Sequence, residues 1–181
     1  MTTTNPPDLT MASTTRVGGP FALLQLAVLT WLTVWLGMVA LNNITDFGTN
    51  ESLIRQMYQM QPLIDDPVLG NGLQWRAFPG WMAGPTLVGV IAYQLATVGL
   101  LATALPAGIR HQRGGEPRVF IDRANRGLTA ALGLFAVFLI GGMFFGYWMF
   151  MGPVQQVHLT MLIFVVAGTV LINMPGRRST T

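Results

Sequence analysis

Three stretches of this chain contain no aspartate, glutamate, lysine or arginine: residues 17–45, 77–109 and 127–176. A helix needs roughly 20 apolar residues to cross the hydrocarbon of a bilayer. The first two stretches are each long enough for one crossing and the third for two. A soluble domain carries about 25% charged residues, whereas here 9% are charged and 51% hydrophobic. So few charges cannot cover a water-facing surface. The chain is therefore predicted to be an all-α integral membrane protein, a four-transmembrane-helix bundle.

The predicted spans are 20–42, 82–105, 127–151 and 154–174. Pro20 suits the first turn of a helix, where a missing N–H costs nothing. Pro106 is expected to stop the second span, and Met151-Gly-Pro153 to turn the third into the fourth. Residues 1–19 are Thr- and Pro-rich and read as a flexible tail; the apolar run behind them is too long for a signal-peptide core, so an uncleaved first helix is expected. The connection 43–81 contains the pattern of a short amphipathic helix at about 50–61, lying on the bilayer surface. Thr49 or Asn50 would cap it, Glu51 complements its dipole, and Leu53, Ile54, Met57 and Tyr58 share one side. Residues 106–126 form an arginine-rich loop and 175–181 a polar tail.

Orientation follows from the ten basic residues, all arginine. Arg16, Arg110, Arg113, Arg118, Arg123, Arg126, Arg177 and Arg178 fall on one side; Arg55 and Arg76 fall on the other, beside Asp46, Glu51, Asp65 and Asp66. The positive-inside rule places both termini in the cytoplasm and 43–81 in the periplasm. It also accounts for the net charge of +3 without a nucleic-acid partner. A lysine-free composition suits a GC-rich genome, and the expected location is a bacterial inner membrane. With no cysteine and no lysine, thiolate, iron–sulfur and Schiff-base chemistry are excluded.

No predicted span contains an acid or an arginine. Ionisable groups inside a bundle mark proton relays and metal sites, so a pump or a carboxylate-bridged metal enzyme is not expected. His158 is the one imidazole in a span and is the candidate cofactor-binding residue, as an axial ligand to haem or a chlorophyll magnesium. His111 falls in the arginine-rich loop, so a bis-His haem within the chain is excluded; a hydrogen-bonded interface histidine is the commoner role for His158. Gln25 and Gln94 suit cross-helix bonding, with a substrate contact as the alternative. Trp31 and Trp35, four apart, share a helix face for lipid or partner packing. Gly142-x-x-x-Gly146, followed by Trp148, reads as a close-packing face.

The polar stretch "NNITDFGTN" at 42–50 follows the first span directly. Asp46 has no neighbouring His, Cys or second acid for a metal site. Asn43, Asp46 and Asn50 are read as a structural loop, with Asn42, Asn43 and Asp46 satisfying the open carbonyls of the first helix.

With "WRAF" at 75–78 and "GGMFFGYW" at 141–148, this stretch resembles a bacterial family known only as "predicted small integral membrane protein" (DUF2165), over roughly 20–174. The resemblance implies four spans and carries no known activity. It also implies a departure. The family usually has His and Asp after the first motif and Glu in spans two and three; the matching positions here are Gln56, Gln61, Gln94 and Met143, while Asp46 is kept. This member is expected to retain the scaffold without an ionisable site.

The expected function is a small non-catalytic accessory subunit of a larger respiratory, photosynthetic or other oxidoreductase complex. Its partners would be membrane lipids and other membrane subunits, and no intrinsic cofactor is expected. Eleven Met and ten Phe supply adaptable packing surface for that role. One alternative is contact with quinone or pigment through His158, Trp31, Trp35, Tyr147 and Trp148. Another is a small oligomeric transporter or channel lined by Gln25, Gln94 and Asn173.

Overall fold

The computed structural model describes residues 19–66, 68–70 and 72–175. The expected tails, with Arg16, Arg177 and Arg178, lie outside the described residues. Among these residues the chain is helical and contains no strand. Its helices are α1 (Pro20–Thr45), α2 (Phe47–Gln59), α3 (Gln61–Ile64), α4 (Ala83–Gln112), α5 (Pro117–Phe144) and α6 (Gly152–Asn173), with single 3-10 turns at Gln74–Arg76, Gly80–Met82 and Tyr147–Met149. The four long helices are each long and apolar enough to cross a membrane.

α1 packs along α4, α4 along α5 and α5 along α6, while α1 meets α6 more sparsely. Small side chains make the close contacts. A Cβ on Gly127 of α5 would lie 2.8 Å from the backbone nitrogen of Leu101 on α4, and one on Gly168 of α6 would lie 3.0 Å from Leu32 of α1. In lipid there is no hydrophobic drive between helices, so such backbone approach carries the association. Leu29, Leu36, Leu101, Phe120, Leu128 and Ile172 fill the interior. Val34, Val137, Ile140 and Val170 stand on the outside, each more than half exposed, as suits side chains that face lipid. A second small core of Tyr58, Met60, Leu63 and Phe145 holds α2 and α3 against the bundle end.

Several helix ends differ from the sequence-based expectation. α4 does not stop at Pro106 but runs on to Gln112. Spanning helices tolerate proline when neighbours pack around it; here Ala104, Ala107, Gly108 and His111 are buried, and His111 stacks on Phe120. His111 therefore belongs to the last turn of α4, not to a loop. α5 begins at Pro117, not 127. Pro117 takes the first helical position; Phe120 and Ala124 turn inward, leaving the charges of Arg118, Asp122 and Arg123 outside. α5 then ends at Phe144 instead of 151, and α6 starts at Gly152. α1 continues to Thr45, so α2 starts at Phe47, not near Asn50, and neither Thr49 nor Asn50 is its cap.

Candidate functional site

The polar side-chain contacts fall into four groups. At one end, Asn43 on α1 donates from Nδ2 to Oε1 of Gln94 on α4 at 2.9 Å. Gln94 is almost wholly buried. Asp46 works through its backbone: its N–H donates to the Asn42 carbonyl at 2.8 Å, and its own carbonyl accepts from the Asn50 side chain at 2.8 Å. The carboxylate of Asp46 is exposed and makes no hydrogen bond to another described residue. An ionised carboxylate has no proton to give a carbonyl, so Asp46 meets the open end of α1 with its backbone N–H and not with its side chain.

Above this layer the 3-10 turns and α2 close the bundle. The Tyr58 hydroxyl and the Thr86 hydroxyl lie 2.8 Å apart, and the Phe78 N–H donates to the Tyr58 carbonyl. The Arg76 guanidinium donates to the Phe144 carbonyl at 3.1 Å, at the C-terminus of α5, and lies over the Trp75 and Phe144 rings. Trp75 and Trp81 bracket Arg76 in the sequence as interfacial aromatics do; the bond to the end of α5 is not legible there.

Between α5 and α6, the Tyr147 hydroxyl and His158 Nδ1 are 2.9 Å apart, and the His158 ring leans on Phe138 with centroids 4.6 Å apart. Burial pushes the Tyr147 phenol up to about 12, so it stays protonated at neutral pH. Two tautomers fit. When Tyr147 donates to Nδ1, Nε2 carries the proton and is a donor. When Nδ1–H donates to the phenol oxygen, Nε2 is bare and able to ligate a metal. Gln155 Oε1 is buried nearby without a partner among the described residues, and a Cβ on Gly142 would collide with it. Gly142 is thus a packing residue of the α5–α6 corner. Gly146 is not on a helix face: with φ 63° it takes the left-handed conformation just past α5, as glycines do at helix ends. The expected Gly142-x-x-x-Gly146 packing motif is therefore two separate features.

Trp31 packs edge-on to Phe164 of α6, Trp35 tilts against Phe135 of α5, and Trp148 stands half-exposed on the turn before α6. At the opposite end, Gln25 donates from Nε2 to the carbonyls of Leu171 and Ile172 at 3.1 and 3.0 Å, satisfying the open end of α6. Asn125 and Asn173 exchange amide hydrogen bonds at 2.9 and 2.8 Å. Gln25, Gln94 and Asn173 each have a separate partner and do not converge on a path. Among the described residues, no three His, Cys, Asp or Glu side chains come together as a metal site would need.

A family model described as "Predicted small integral membrane protein (DUF2165)" matches residues 21–175. The chain belongs to this family. No curated protein and no solved structure matches it. The four positions that the resemblance singles out do not form one cluster. Gln94 is bonded to Asn43, Gln61 donates to Asp65 at 2.9 Å, Gln56 is exposed on α2, and Met143 faces outward at the end of α5.

Proposed function

We propose that this DUF2165 protein is a small non-catalytic subunit of a larger complex in the bacterial inner membrane, of the respiratory, photosynthetic or other oxidoreductase kind. Both termini would lie in the cytoplasm and 43–81 in the periplasm. The observation that carries the reading is the filled interior. The cavity bounded by Leu32, Trp35, Leu101, Leu128, Phe135 and Met161 has a volume of about 10 Å³ and apolar walls. A space of that size and lining stays dry and holds no substrate. Apart from Gln155 Oε1, the buried glutamines and threonines are engaged in bonds that hold helices together or return to their own backbone. What faces outward suits another helix: Gly89, Ala92, Ala96, Gly99 and Thr103 are exposed along α4, with open space over both glycines. Small residues at such spacing admit a close neighbour.

Purification in mild detergent from native membranes tests this. Partner subunits are expected to co-purify, and Ala96→Phe is expected to release them while the isolated chain keeps its thermal stability. A native protein that runs alone would overturn the proposal.

The second reading, contact with a quinone or pigment, draws support from the Tyr147–His158 pair, which fixes one imidazole nitrogen and leaves the other for a ligand. Here an absorption spectrum of the purified complex is decisive. An identical spectrum and turnover in His158→Ala would remove it.

A further inference from the structure

Arg126 is the last charge before the long charge-free stretch, so it stands at the level where the apolar helix meets the headgroups. It is exposed on α5, and no described residue bonds or pairs with it. Its neighbour Asp122 is already faced by Arg118 at 3.8 Å, and Arg126 has no carboxylate partner among the described residues. Asp122, Asn125, Arg126 and Thr129 line one open groove. The reciprocal amide pair of Asn125 and Asn173 closes its side toward α6.

The same helix face continues into the membrane. Residues 126, 129, 133, 137 and 140 follow at helical spacing, and Val137 and Ile140 are 65% and 68% exposed. A cationic and amide-bearing notch thus leads, past the Tyr93 hydroxyl beside Gly133, onto an apolar strip. Free phosphate would use only the notch; an amphiphile with an anionic head uses both.

We propose that this face of α5 binds an anionic phospholipid, its phosphate at Arg126 beside the Asn125 amide and the Thr129 hydroxyl, its acyl chain along Val137 and Ile140. The site is independent of any partner subunit. The test is native mass spectrometry of the full chain in neutral detergent, supplied with phosphatidylglycerol or phosphatidylcholine. The chain is expected to retain phosphatidylglycerol preferentially. Arg126→Gln should weaken that preference about fivefold, the contribution of one arginine near a charged headgroup layer. Arg113→Gln, on the same bundle end but outside the groove, should leave it unchanged. Equal retention by Arg126→Gln overturns the site. Equal loss in Arg113→Gln overturns it in favour of diffuse surface charge, and displacement of the lipid by inorganic phosphate overturns the lipid as occupant.

Discussion

Asn43 donates to Gln94 at 2.9 Å across 51 residues of chain, tying the end of α1 to the buried side of α4. Removing either partner has a different cost. Asn43→Ala leaves the Gln94 oxygen without its donor in the bundle, at about 1–3 kcal/mol. Gln94→Leu leaves only the half-exposed Asn43 amide, which water can serve. The double variant should show a coupling of about 0.6–1.7 kcal/mol, the range for interhelical bonds in membranes. Unfolding by SDS titration in mixed micelles measures it; a coupling indistinguishable from zero would mean the bond is incidental.

The glycines of α5 should separate sharply. Gly127→Ala places a methyl group 2.6 Å from the Leu101 Cδ2 and 2.8 Å from its backbone nitrogen, which no rotamer change relieves. Forcing α4 and α5 apart is expected to cost about 1–3 kcal/mol. Gly141→Ala meets nothing within 4 Å and should be neutral or slightly stabilising. Thermal unfolding of the two variants in one detergent checks the contrast.

The crossing helices were legible because a charge-free stretch has only one solvent that suits it. Their ends were not. Pro106 reads as a stop, yet the packing of Gly108 against Leu26 and Phe120 carries α4 past it. The charges of 118–126 read as loop because a linear count cannot see that they occupy one side of a helix whose other side buries Phe120 and Ala124. The polar stretch that ends α1 was recognisable as special from its position alone. Its partner was not, since nothing local to Asn43 points to Gln94. Likewise Gly142 and Gly146 have the spacing of a helix face, but only the backbone angle of Gly146 reveals that the helix has already ended.

Asp66 organises the far loop. Its carboxylate accepts from the Leu69 N–H at 2.7 Å and the Val68 N–H at 2.8 Å, and these bonds hold its pKa below the ordinary 3.8. A depressed folded pKa means the carboxylate favours the folded loop above pH 3.8, and that contribution is lost as pH falls through the lower folded value. Hydrogen exchange at Val68 and Leu69, corrected for intrinsic rates, should therefore rise over that acidic window. Asp66→Asn should remove the pH dependence; an unchanged profile would contradict it.

Arg76 makes three contacts at the bundle end. It donates to the Phe144 carbonyl where α5 ends, and its guanidinium lies 5.2 Å from the Trp75 ring centroid and 5.6 Å from that of Phe144. A cation at a helix C-terminus contributes about 0.3–1 kcal/mol, and a cation over an aromatic face about 0.5–1 kcal/mol at an exposed site. Arg76→Gln is thus expected to lower stability by roughly 1–2 kcal/mol, with a change in tryptophan emission as Trp75 loses its neighbour. Lysine should restore little of this. Its ammonium is a point charge, whereas the flat guanidinium donates along its edge to a carbonyl while stacking through its face. If Arg76→Lys matches the native protein in both stability and emission, charge alone is sufficient and the planar geometry plays no part in closing the bundle.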